Sequence, residues 1–171
     1  MKTKITLSIL ILGLAMGTYW AQEKQPSKQE PPAAAGPASP HNYNITQADK
    51  DRKNPVRFTD LSVERGKKLY TSHCEMCHGE KGDGKGDLAK DMNIQPADFT
   101  KPELLSKRTD GELFAIIGSG SDTMPGEKDR MPDKQRWQIV NYLRLLEGKT
   151  PAKATDEERA SENTAIVPTH N

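Results

Sequence analysis

The chain has 171 residues and a formal net charge of +1; 33% of it is hydrophobic and 5% aromatic, with 12 prolines and 13 glycines. That length suits one small domain with extensions. The balanced charge lacks the strong basicity of a nucleic-acid-binding domain, and the apolar content is thin for a core that must stand alone.

Met1 to Ala21 reads as an export signal: Lys2 and Lys4 form a positive start, Ile5 to Met16 an almost continuous apolar run, and Ala21 a small residue for cleavage. Left uncut, the same stretch is an N-terminal anchor, short for a full span. Either way the expectation is a periplasmic or exported domain, with anchoring to the outer face of the inner membrane as the uncleaved outcome. Residues 22–56 carry Pro26, Pro31, Pro32, Pro37, Pro40 and Pro55 around an Ala-rich centre, and read as a disordered tether. The folded domain is expected over 57–148.

A first helix is expected from about Val63 to Ser72 with Ser62 as its cap; Val63, Gly66, Leu69 and Tyr70 share one face. Then comes Cys74-Glu75-Met76-Cys77-His78, which holds the only two cysteines of the chain. This spacing is the attachment site of a c-type haem. Two thiols one turn apart reach both vinyl groups of the porphyrin, and the next residue falls under the iron, so His78 is the expected proximal ligand. A thiol–disulfide pair needs an α/β setting that the chain does not show. A zinc site needs a second ligand pair, and a disulfide across two residues is strained. Covalent haem would also supply the apolar body that the composition lacks.

Gly79 to Asp87 is rich in glycine but has neither the ending of a P-loop nor the oxygen spacing of an EF-hand. It reads as a flexible loop at the haem edge, with the carbonyl of Pro96 as the expected acceptor for the free N–H of His78. Thr100-Lys101-Pro102-Glu103 and Thr109-Asp110-Gly111-Glu112 read as capping boxes opening two short helices, the second stopping at Gly118. A last helix is expected from Pro132-Asp133 to about Glu147, with Ile139, Val140, Leu143 and Leu146 as its stripe. Residues 149–171 read as a disordered tail.

Haem iron with one histidine has a second axial position. Met76 sits inside the attachment turn, Met92 falls on the proximal side, and Met131 opens a helix whose apolar face packs inward. Met124 precedes Pro125 on an extended segment able to cross the haem, and is the expected distal ligand.

The set Gly66-Lys67-Lys68-Leu69-Tyr70, Cys74 to Gly79, Met124-Pro125 and Arg136 to Leu143 resembles the class I, single-haem cytochromes c of bacteria. The resemblance covers about residues 57–148. It implies a small all-α fold whose N- and C-terminal helices cross around one covalently bound haem c, here at Gly66 and Tyr70 against Tyr142 and Leu143. It also implies electron transfer rather than enzymatic catalysis. Cys74 and Cys77 would carry the haem and His78 and Met124 its iron. Redox proteins would be donor and acceptor, and the chain a periplasmic carrier or the cytochrome subunit of a respiratory or dehydrogenase complex. The alternative expectation is a haem enzyme or ligand-binding haem protein with an open sixth position.

Overall fold

The computed structural model describes residues 43–164. The signal expected over 1–21, residues 22–42 of the expected tether and residues 165–171 of the expected tail lie outside them.

The described residues form helices α1 (Gln47–Asp51), α2 (Asp60–His73), α3 (Glu75–His78), α4 (Asp87–Asp91), α5 (Pro102–Ser106), α6 (Asp110–Ser119), α7 (Asp133–Leu146) and α8 (Asp156–Thr164). Only one isolated β-bridge, Thr59 with Ala152, joins them. The all-α expectation holds.

The first long helix begins earlier than Ser62. Thr59 is its cap, accepting from the Ser62 amide, while the Ser62 hydroxyl accepts from the Thr59 amide at 3.0 Å. Ser62 is thus the inner member of a capping box. From there α2 buries Val63, Gly66 and Tyr70 against α7. Gly66 lies against the Gln138 backbone and the Tyr142 side chain, and the Tyr70 and Tyr142 rings meet at 5.1 Å, tilted by 57°. Tyr70, Ile139 and Val140 are no more than 1% exposed. Burying each side chain of that kind contributes ~1.5–3 kcal/mol. Met131 is 2% exposed and packs in this core, as its position before α7 predicts.

Arg144, on α7, is buried and fully occupied. It donates to Asp110 (2.7 Å), to the carbonyls of Leu105 (2.9 Å) and Arg108 (2.7 Å), and to Glu147 (2.7 Å). The end of α5 and the turn into α6 are thus fastened to α7 through this guanidinium. The expected cap of α5 is not used. Thr100 donates its hydroxyl to Asp98, and the helix starts from Lys101 without a side-chain cap. At α6 the expected box forms between Thr109 and Glu112. The helix runs past Gly118 to Ser119 and is capped by Gly120.

Two expected disordered stretches are ordered where the structure describes them. Thr46 and Asp49 close a capping box on α1. Asn141 accepts from Asn54 at 2.8 Å and donates to the carbonyls of Val56 and Arg57. Ala152 and Phe58 share a backbone hydrogen bond, and Arg159 of α8 pairs with Asp60. The folded unit therefore extends on both sides of 57–148. Backbone and charged groups hold these additions, which is why apolar periodicity does not reveal them.

Candidate haem site

Cys74 ends α2 and opens the single turn of α3. The amides of Cys77 (3.2 Å) and His78 (2.9 Å) both donate to the Cys74 carbonyl. That turn puts the two thiols on one side, as residues three apart in a helix are. Both cysteines are free and partly buried. Burial, then the nearby charges of Glu127 and Cys77, pushes the Cys74 thiol up to about 12. A redox-active thiol is tuned the other way, toward the thiolate.

The glycine-rich stretch is held to this turn, contrary to its expected flexibility. Gly84 donates to the His78 carbonyl (2.8 Å), Gly86 to that of Cys77 (3.1 Å), and Phe99 to that of Gly82 (2.6 Å). The segment that follows supplies the orienting acceptor for His78. It is the carbonyl of Ala97, at 3.2 Å from Nδ1, and not that of Pro96 one residue earlier. A carbonyl only accepts, so Nδ1 carries the proton and Nε2 the lone pair. The ring stacks on Phe99 with centroids 4.7 Å apart and planes at 16°. Burial lowers the His78 pKa below its ordinary value, partly offset by the Ala97 contact, and so favours the neutral imidazole that ligates metal.

Met124 sits in a fixed turn. Ser121 donates its amide to the Met124 carbonyl (2.8 Å), and Glu127 and Lys128 donate theirs to the carbonyls of Ile117 (2.9 Å) and Gly118 (3.1 Å) at the end of α6. The loop thereby fills helix-end acceptors that would otherwise be orphaned.

Cys74, Cys77, His78 and Met124 all line one cavity, with Ile94, Pro96 and Ile117 among the apolar walls. Met76 and Met92 are 61% and 52% exposed and take no part. The cavity encloses ≈ 700 Å³ of empty space, part of it open to solvent, and its walls are mainly apolar. A largely apolar cavity with two cysteines at its edge suits a covalently held macrocycle. The buried Glu127 Oε2 also lacks a hydrogen-bond partner here. Buried polar atoms are rarely left so, and a bound group with polar edges would meet it. The residues fit haem.

Tyr43, His73 and Glu127 line the cavity as well, unforeseen by the sequence reading. His73 immediately precedes Cys74, and its Nδ1 lies 3.6 Å from the Glu127 carboxylate. Only adjacency to the motif and to Met124-Pro125-Gly126 pointed to these two. Nothing in the spacing pointed to Tyr43. Among the described residues no group of three or more His, Cys, Asp or Glu could hold a metal ion.

A helical domain with Cys74, Cys77 and His78 at one cavity suits a c-type haem protein. Residues 62–143 match the family described as cytochrome C oxidase, cbb3-type, subunit III. The chain is 26% identical over 91 residues to cytochrome c550 of Pseudomonas aeruginosa, covering 53% of this chain and 60% of that protein. It is 23% identical over 151 residues to a thiosulfate dehydrogenase of Stutzerimonas stutzeri, covering 82% of this chain and 44% of that one. The chain thus spans 44% and 60% of the length of these relatives. Among solved structures, cytochrome cL of Methylophaga aminisulfidivorans aligns at 18% identity and a TM-score of 0.41, over 67% of this chain and 89% of that one. These likenesses support a cytochrome c of the single-haem kind with covalently bound haem c.

Proposed function

We propose that this cytochrome is an exported electron-transfer protein, without a substrate of its own, serving as a carrier or as the cytochrome subunit of a respiratory or dehydrogenase complex. In this reading Cys74 and Cys77 form the thioethers, and His78 Nε2 and Met124 Sδ are the proximal and distal iron ligands. Bound haem supplies an iron centre that gains and loses one electron. The observation that carries the reading is the convergence of these four side chains on one largely apolar cavity.

Each surrounding group has a part in it. Ala97 fixes the tautomer of His78, and Phe99 holds the ring plane. The turn closed by Ser121 presents Met124 from a backbone tied to α6. The apolar walls exclude water, which favours the less charged ferrous state and raises the potential. Ligands from two fixed elements keep the surroundings alike in both oxidation states, so little must reorganise when the electron moves. Redox proteins are the partners. Among the described residues no helix is long and apolar enough to cross a membrane.

The test is the full chain made in a host with working cytochrome maturation. Denatured protein should give the pyridine haemochrome of a two-thioether haem, with one haem per chain. The native protein should be low-spin with a methionine–iron band that Met124→Ala abolishes. An unchanged spectrum in Met124→Ala overturns the ligand assignment and favours an open sixth position; absence of covalent haem overturns the whole reading.

A further inference from the structure

We infer that residues 44–54 fix Tyr43 against the haem cavity, where it is a positioning residue that keeps water and small ligands away from the loop bearing Met124. These residues precede the segment of the family match, 62–143, and by composition they belong to the tether.

The structure gives them anchors of different kinds. At the far end Asn54 donates to Asn141 of α7 at 2.8 Å. In the middle, α1 lies so close to α6 that a Cβ on Gly111 would be 1.9 Å from the Asp49 carbonyl oxygen and 2.7 Å from that of Arg52. Only glycine permits that approach. The Arg52 guanidinium also covers the Phe114 ring at 5.2 Å. At the near end the Arg108 guanidinium covers the Tyr43 ring at 5.7 Å, and Tyr43 lines the cavity with Ser121 and Met124. Burial raises the Tyr43 phenol pKa although Arg108 and a hydrogen bond with Ser121 oppose it.

The buried Ser121 hydroxyl lies beside the Tyr43 phenol, its side-chain hydrogen-bond partner. Removing the ring would open a roomy, polar site there, and such sites take up water. The ring therefore keeps the Met124 turn dry. With Met124 exposed, an exogenous nitrogen ligand would replace the thioether more readily, and the ferric state would gain stability. The inference rests on Met124 being the distal ligand.

The experiment titrates ferric full-length protein with imidazole, following loss of the methionine–iron band, and measures the reduction potential and melting temperature of the same samples. Tyr43→Ala should bind imidazole about tenfold more tightly, as expected when the binding-competent open state becomes about tenfold more populated, and should have a lower potential. Tyr43→Phe, which keeps the ring, should stay near wild type. Gly111→Val, which displaces α1 without touching the cavity lining, should reproduce Tyr43→Ala. If that variant does not mature, the two Tyr43 variants decide the matter. A Tyr43→Ala protein with wild-type imidazole affinity and potential, even if it melts earlier, overturns the inference and leaves 43–54 a merely structural addition. A Tyr43→Phe protein as open as Tyr43→Ala overturns the role of the ring. A wild-type protein with no methionine–iron band to lose overturns the ligand reading itself.

Discussion

A Cβ on Gly66 would lie 1.9 Å from the carbonyl oxygen of Gln138. Backbone meets backbone where α2 crosses α7, and neither side has a flexible group that can yield. A glycine inside a helix costs up to ~1 kcal/mol relative to alanine. Here that loss is offset by the burial of Val63, Tyr70, Ile139 and Tyr142 that the close crossing permits. Since α2 leads directly into Cys74 and α7 carries the opposite wall of the core, the crossing fixes where the haem-binding turn stands.

Gly66→Ala is expected to lower the stability of the holoprotein by ~2–3 kcal/mol, because overpacking against backbone outweighs the gain in helix propensity. Guanidinium unfolding followed at the haem band measures it. A variant as stable as wild type would mean that the crossing is looser than this geometry.

Arg144 makes the second prediction. Replacing it with methionine keeps much of the volume but leaves Asp110, Glu147 and two carbonyls without their donor. Breaking a buried pair from one side costs ~3–5 kcal/mol. Lysine restores the charge without the planar fork. Arg144→Lys should therefore fall between wild type and Arg144→Met in unfolding midpoint, and equal midpoints for the two variants would contradict the forked role.

A third concerns the hydroxyl of Tyr70, which donates to the carbonyl of Gly79 at 2.7 Å in the buried interior. Gly79 follows His78, so this bond ties the end of the haem-binding turn to the body of α2. Tyr70→Phe leaves the carbonyl with only the Gly82 amide as donor and should cost ~0.5–1.5 kcal/mol, with little change in the visible spectrum. A marked spectral change would instead place Tyr70 in control of His78.

The haem turn was legible because covalent attachment fixes both residue types and their spacing: nothing else in the chain offers two thiols one turn apart. The place of Met124 at the cavity was legible through Pro125, and α6 and α7 through their apolar faces. Errors of one residue, such as Pro96 for Ala97, arise because either carbonyl of an extended segment satisfies the same chemical need. Burial of Glu127 leaves no trace in a sequence, since a carboxylate is ordinarily solvated. The ordered ends are a different case. Thr46 with Asp49 and Thr155 with Glu158 are capping pairs that could have been read, but neither precedes an apolar face. Their helices dock through Asn54, Arg57, Asp60 and Arg159.

Asp60 leads to a prediction about pH. Its carboxylate accepts from the amide of Ala154 at 2.9 Å and faces Lys153 and Arg159. The Ala154 amide foremost, opposed by partial desolvation and helped by Lys153, the Leu61 amide and Arg159, holds the carboxyl at about 2 against an ordinary 3.8. A folded-state pKa below the unfolded one means stabilisation that is fully present above the ordinary value and is lost as pH falls through about 2. The exposed ion pairs add little by themselves, so the bond to Ala154 should carry the effect. Amide exchange at Ala154 is the direct measure: its protection should decline between about pH 4 and pH 2, ahead of the α2–α7 core. Asp60→Asn should show weaker protection at neutral pH and a much flatter profile. Protection at Ala154 that stays constant down to pH 2 would show that the C-terminal segment is held by something other than this carboxylate.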